Sequence, residues 1–344
     1  MSVLHQVGRI ALLVLLASAC TEQSITDVSR EKVPSNLAPS FLVAGASVKI
    51  HFEPLEVTPW YLLGKIHLQD DWSSAGPYDH FVVPNTYGYA SFGAQSLRIS
   101  NAVTSGSFGD QTFSKRTINH AGETESNCDI WCVPGGTRQR HFEVEWDYAS
   151  TTPAAEQPGL AVTASPDRGD GARMSFVRMR DTPAGLAVDF ADVQGVNRVP
   201  PACGISNFEE TTVATGLNRA APHTIKITMD LLEGPSNDVV RVYVDGSLRH
   251  TGTSWEDYFR FDCEAAAHLG KPPVVNRVLY RTAGAAAPAT LLHGFVIDNL
   301  SLGTANAAAV KDDCKDGGWK SFTRADGSPF KNQGDCIQYT NHGT

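Results

Sequence analysis

From about Ser47 to Gly303 the chain is a succession of short β-type segments separated by Gly, Pro, Asn and Asp. The clearest run from His141 to Ala149, Gly159 to Ser165, Ala172 to Arg180, Gly185 to Phe190, His223 to Leu231, Asp238 to Val244, Val274 to Thr282 and Leu291 to Leu302. In His141-Phe142-Glu143-Val144-Glu145-Trp146-Asp147-Tyr148 every second residue is large and apolar and the others are polar. That period of two predicts a strand with one face on a core and the other on water or ligand. His223 to Asp230 repeats the pattern with Ile225, Ile227 and Met229 as its apolar members. Asp245-Gly246 between Val239–Val244 and Ser247–Thr251 predicts a hairpin, because the tight type I′ turn needs positive φ at both central residues. Many strands, hairpin turns and no competing helices predict an all-β fold, an antiparallel two-sheet sandwich.

The two ends differ from this middle. Arg9, the apolar run Ile10 to Leu16, and Ala17-Ser18-Ala19-Cys20 have the layout of a secretory signal, too short to span a bilayer. Its end resembles a bacterial lipobox, which makes Cys20 the lipidation site and anchors the protein to a membrane; two or three acyl chains exceed what stable anchoring needs. Thr21 after the cysteine favours outer-membrane sorting by resemblance to Gram-negative lipoproteins. Ala17-Ser18-Ala19 equally satisfies the rule for ordinary signal peptidase, which gives a soluble secreted or periplasmic protein instead. The expected organisation is a signal peptide over 1–19, a flexible tether over 20–45, a sandwich over 46–304 and a small Cys/Gly/Trp tail module over 305–344. Six further cysteines, Cys128, Cys132, Cys203, Cys263, Cys314 and Cys336, form an even set that reads as three disulfides in an exported protein. Six cysteines permit 15 pairings. Sequence proximity favours Cys128 with Cys132 and Cys314 with Cys336, leaving Cys203 with Cys263. No C-x2-C pair or closely spaced His supports zinc.

Several stretches resemble the concanavalin A-like lectin/glucanase superfamily in its laminin-G-like jelly-roll branch. They are Phe92-Gly93 with Ser96 to Asn101, the strand Phe142 to Tyr148, Asn237 to Gly246 with its Val-Tyr-Val-Asp-Gly end, and Gly294-Phe295-Val296-Ile297-Asp298-Asn299-Leu300-Ser301-Leu302. The resemblance covers about residues 47–303 and implies a jelly-roll sandwich; it specifies fold far better than activity.

Composition narrows the role. Lys+Arg 28 against Asp+Glu 37 gives a formal net charge of -9, and no basic stripe is present, which excludes nucleic acid as the partner. Glu143, Glu145 and Asp147 lie on one face of one strand. Family 16 glycoside hydrolases, which share the sandwich, carry two glutamates and an aspartate on such a strand, and retaining chemistry needs two carboxyls about 5–5.5 Å apart. Here the second and third acids are interchanged relative to that family. The competing reading is a solvated outer face neutralised by basic neighbours such as Arg178, Arg180 and Arg281. Asp167 and Asp170, in a Gly-rich turn, are candidate Ca2+ ligands, although no acid stands at the twelfth position of an EF-hand loop. Loop aromatics (Trp60, Tyr61, Trp72, Tyr78, Tyr87, Tyr89, Trp131, Trp255 and Tyr258) offer faces on which sugars stack. Among them Trp255, Asp257 and Tyr258 form the preferred ligand-facing segment, with Glu143 and Glu145 as further ligand contacts. The functional expectation is a membrane-anchored, exported, non-catalytic carbohydrate-binding or adhesion protein whose partner is a polysaccharide or glycan. A glycoside hydrolase or lyase using Glu143 and Glu145, and a structural surface protein, are the alternatives.

Overall fold

A computed structural model of the protein describes residues 47–56, 61–123, 132–171, 174–193, 208–261, 274–282, 284–306, 311–324 and 328–342. The expected signal peptide and tether, with Cys20, Trp60, Cys128, Trp131, Cys203 and Cys263, lie outside the described residues. In chain order the strands are β1 (Ser47–Ile50), β2 (Gly64–Lys65), β3 (Ser73–Ala75), β4 (Asp79–Pro84), β5 (Gln95–Ser100), β6 (Gln111–Phe113), β7 (His120–Gly122), β8 (Arg138–Gln139), β9 (His141–Ser150) and β10 (Ala161–Asp167). There follow β11 (Phe176–Thr182), β12 (Gly185–Val193), β13 (Phe208–Leu217), β14 (His223–Asp230), β15 (Val239–Val244), β16 (Ser247–Gly252), β17 (Val274–Val275), β18 (Arg277–Arg281) and β19 (Phe295–Ala305). Among the described residues two helices, α1 (Glu256–Phe261) and α2 (Gln333–His342), and short 3₁₀ turns accompany the strands.

These strands build an antiparallel two-sheet jelly-roll sandwich. The first sheet runs β16-β15-β14-β9-β19-β5-β4-β2 with β1 beside β19, and the second runs β13-β12-β11-β10-β18-β6-β3. A small sheet, β17-β7-β8, pairs with neither, and its Ala121 and Val275 join the sandwich core. Chain neighbours are often not sheet neighbours: β9 lies between β14 and β19. Period-two alternation explains the facing. Phe142, Val144, Trp146 and Tyr148 of β9 are fully buried, as are Ile225, Ile227 and Met229 of β14, against Val177, Met179, Val188, Phe190, Val278 and Tyr280 from the second sheet. Each such side chain contributes about 1.5–3 kcal/mol on burial.

The expected hairpin is present, with Val244 opposite Ser247 and φ of 51° at Asp245 and 72° at Gly246. The strand expected from Val274 to Thr282 is broken at Asn276, whose amide and carbonyl bond Asp167 and Thr117, so β17 and β18 enter different sheets. The last strand starts at Phe295 rather than Leu291. Gly294 has a φ of 106°, and a Cβ there would stand 2.2 Å from the Ile99 carbonyl, so the chain turns into the sheet at a residue only glycine fills comfortably. Edge strand β13 was not foreseen; its exposed Phe-Glu-Glu-Thr-Thr run has no apolar period to reveal it.

In the tail, Cys314 and Cys336 form a disulfide with Cα atoms 5.6 Å apart. They pack with Phe330 against Trp319, Phe322, Ile337 and Tyr339, a core small enough to need the bridge. Arg140 fastens the tail to the sandwich, 2.8 Å from Asp313 and with its guanidinium 5.2 Å from the centre of the Phe322 ring. Cys132 is also disulfide-bonded. No helix of the described residues is long and apolar enough to cross a membrane.

Candidate functional site

The acidic strand β9 does project Glu143, Glu145 and Asp147 from the outer face of the first sheet, all partly exposed. Their surroundings were not those expected. Arg178, Arg180 and Arg281 belong to the second sheet, so they neutralise nothing here. Instead Glu143 pairs with Lys226 at 2.9 Å and lies 3.9 Å from His141 Nε2, an ion-pair distance. Glu145 faces Lys226 across the strand pair. Asp147 accepts hydrogen bonds from Thr224 Oγ1 at 2.6 Å and Asn299 Nδ2 at 2.8 Å. His141 is itself held by Asp230, 2.7 Å from Nδ1, and Asp230 by Arg241 at 2.6 Å.

Charge on this face is therefore balanced in a chain from Arg241 to Lys226. Burial works to raise the Glu143 carboxyl, but His141 and Lys226 outweigh it and hold it at about 2. Burial likewise disfavours charge on His141, yet Asp230 and Glu143 lift it to about 9. A glycosidase needs one carboxyl kept protonated near neutral pH. Glu143 is kept ionised, so it does not serve as that acid, while an ionised carboxylate is what the nucleophile position of such a pair requires.

The preferred aromatic segment is interior. Trp255 is 2% exposed, its ring centre lies 4.7 Å from that of Phe208 and 5.8 Å from that of Phe176, and its indole donates to the Ala191 carbonyl. Asp257 is buried and accepts from Ser236 Oγ at 2.8 Å, while Tyr258 is half-buried against Trp255. Trp255 and Asp257 thus hold α1 onto the sandwich, and the exterior sugar platform expected of Trp255 is absent. Tyr61 and Trp72 are core residues too.

The Asp167 and Asp170 turn does not converge on a cation. Asp170 is taken by Arg168 at 2.7 Å. Asp167 is fully buried, accepts the Gly169 and Gly171 amides, and faces the Arg277 guanidinium; burial raises its carboxyl to about 7. Another acidic group was not foreseen. Glu123, Asp238 and Glu256, far apart in sequence, bring carboxylate oxygens within 4.8 Å of one another, all buried. Oxygen donors in that number suit a hard cation. They also tie loops together: Asp238 accepts from the Leu232 amide and Ser254, Glu256 from the Asn237 and Asp238 amides, and Glu123 from the Gly234 amide. Burial, then Glu256, raises the Asp238 carboxyl.

At the far edge of the first sheet, Phe81, Val83, Tyr87 and Leu292 line a recess of about 330 Å³. Its one cation, Arg98, is spent on Asp79 and the His293 carbonyl.

The outer face of the second sheet is of a different kind. Strand register places Gln111, Arg281, Thr163, Arg178, Asp189 and Thr212 in one row across six strands. At about 4.8 Å per strand the row is about 24 Å long. Arg178 pairs with Glu210 at 2.7 Å, Arg180 with Asp189, and Thr212 donates to Asp189 at 2.8 Å. Phe108, 65% exposed, stands over Arg281 at one end, its ring centre 5.4 Å from the guanidinium carbon. Asp189 and Arg281 of this row are buried, while Gln111, Thr163 and Arg178 are partly exposed and Thr212 is exposed, so the accessible members and the open ring offer a ligand hydrogen bonds and one stacking surface. Of these residues, only the arginines had been noticed in the sequence, and on the wrong sheet.

No family model matches the chain, and no curated protein does. Among solved structures the chain is similar to an endo-1,3-beta-glucanase from Streptomyces sioyaensis, with 12% identity over 75% of this chain and 96% of that one and a TM-score of 0.38. It is also similar to alginate lyase vAL-1 from Chlorella virus, with 10% identity over 71% and 98% of the two chains and a TM-score of 0.37. The metal-free carbohydrate recognition domain of Emp46p matches at 12% identity over 73% and 93%, with a TM-score of 0.34. At such identities and scores these likenesses assign no activity to this chain.

Proposed function

We propose that the protein is an exported, lipid-anchored, non-catalytic glycan-binding protein that takes polysaccharide along the outer face of its second sheet. The observation that carries this reading is the polar row from Gln111 to Thr212, with Phe108 open to solvent at its end. The accessible amide, hydroxyl and guanidinium groups of Gln111, Thr163, Arg178 and Thr212 suit the hydroxyls of a sugar chain, and the exposed ring suits an apolar sugar face. The non-catalytic part is supported by the engagement of the Glu143 carboxylate with Lys226 and His141. Export is supported by the signal-like amino end and by the tail disulfide, and anchoring by the lipobox-like residues that end in Cys20.

A polysaccharide panel in affinity electrophoresis tests it, run beside a reducing-end assay. Retardation by at least one polysaccharide, reduced in Phe108→Ala and unaccompanied by new reducing ends, is the expected result. No retardation by any of them would refute it. The anchor is read separately: the full chain should partition into detergent and Cys20→Ala into the aqueous phase, and equal partition would remove the anchor from the account.

A further inference from the structure

We infer that Arg281, with Gln111 and Phe108, forms a site for the oxyanion of an acidic sugar residue, a carboxylate or a sulfate ester; this rests on the glycan-binding reading above. Arg281 is 5% exposed. One of its terminal nitrogens, Nη2, donates to Gln111 Oε1 at 2.7 Å and to the Gly171 carbonyl at 3.4 Å. Its Nε and Nη1 are buried and have no hydrogen-bond partner among the described residues. On this face Arg178 has Glu210 and Arg180 has Asp189, and in the neighbouring turn Arg168 has Asp170. Among the described residues Arg281 has only neutral acceptors.

An unpaired buried cation is costly, because both its hydration and its counter-charge are forgone. The inferred ligand supplies what is missing. A planar guanidinium donates to carboxylate or sulfate oxygens in charge-assisted bonds, stronger than any it makes with a hydroxyl. The immediate neighbours are arranged for a sugar. Thr163 and Gln111 flank Arg281 in the row, one strand away on either side, and supply a hydroxyl and an amide. Phe108 covers the guanidinium with one face and is open to solvent. Its loop, residues 103–109, is pinned at its base by Asp110, which accepts from Thr104 and Ser105. The anion reaches Nε and Nη1 as the Phe108 ring swings outward, and the ring then stacks on the sugar that carries it.

The test is calorimetric titration of the mature protein with galacturonate, galactose 6-sulfate and galactose. At least one acidic sugar is expected to bind about 10-fold or more tightly than galactose, and Arg281→Gln to lose that preference, since a hydrogen bond to a charged group carries about one to two powers of ten in affinity. Galacturonate and galactose 6-sulfate together identify which oxyanion is read. Phe108→Ala, at a position 65% exposed, should weaken the acidic sugar about 3- to 10-fold and decides the matter if Arg281→Gln does not fold. Equal binding of acidic and neutral sugars, or an acidic preference untouched by both variants, overturns the inference. Polysaccharide bound, with acidic and neutral monosaccharides held equally, overturns the oxyanion site and leaves the glycan reading standing. Acidic monosaccharide bound at Arg281 with every polysaccharide ignored supports the site and overturns the glycan reading.

Discussion

His141 should make folding stability fall as pH rises from neutrality. The imidazole is buried between Asp230, 2.7 Å from Nδ1, and Glu143, 3.9 Å from Nε2, and these carboxylates push it up to about 9 from its ordinary value of about 6.5. Between those two values the folded chain holds a proton that the unfolded chain has released. The stabilisation is therefore fully present below pH 6.5 and is lost as pH rises through about 9. A difference of about 2.5 pH units at 1.36 kcal/mol each amounts to about 3 kcal/mol. Replacing His141 by Gln removes the titrating group. Arg241, 2.6 Å from Asp230, still compensates that carboxylate, so the variant should fold with a cost at the low end of the about 3–5 kcal/mol seen for broken buried pairs. The assay is urea unfolding of both proteins between about pH 6 and about pH 10, where other groups titrate alike in each and cancel in the difference. The wild type should lose about 3 kcal/mol more than the variant across that interval. Parallel pH profiles, or a wild type that gains stability as pH rises, would refute the charged state assigned to His141 and with it the reason Glu143 stays ionised.

Trp255→Ala should cost about 3–5 kcal/mol in chemical unfolding, as expected for a buried indole; a stable variant impaired only in glycan binding would return Trp255 to the ligand surface. Reducing the Cys314–Cys336 bridge, whose cysteines are 22 residues apart, should destabilise the tail by about 3 kcal/mol and expose it to limited proteolysis; unchanged resistance would mean the tail core suffices without the bridge. Neither the wild type nor Glu143→Gln should release reducing ends from a polysaccharide, and release lost in that variant would establish catalysis at β9.

What the residues alone revealed follows from the range of the forces involved. Period-two alternation is local, so the two faces of β9 and β14 and the turn at Asp245-Gly246 were legible from a few residues each. Pairing between distant strands is not local. Nothing in the sequence near Glu143 says that Lys226 rather than Arg178 pairs with it, because that depends on β14, and not β11, lying beside β9. Trp255 read as a loop aromatic because its burial comes from Phe176 and Phe208, which other strands supply. The row on the second sheet was invisible for the same reason: Gln111 and Arg281 meet across 170 residues of chain. An Arg at the end of an apolar strand such as Val278-Leu279-Tyr280-Arg281 was the one available hint.

Two outer faces of one sandwich therefore have different roles in this account. On the first sheet the charges satisfy each other from Arg241 through His141 to Lys226, which stabilises the strand set and leaves Glu143 unsuited to proton transfer. On the second, an exposed ring and a buried guanidinium with unused donors stand at the end of a polar row. Hydroxyl-radical footprinting with a bound polysaccharide compares the two faces in one experiment, through Phe108 on the second sheet and Tyr243 on the first. The account predicts that Phe108 loses labelling when polysaccharide is present and Tyr243 does not; protection of Tyr243 with Phe108 unchanged would contradict it.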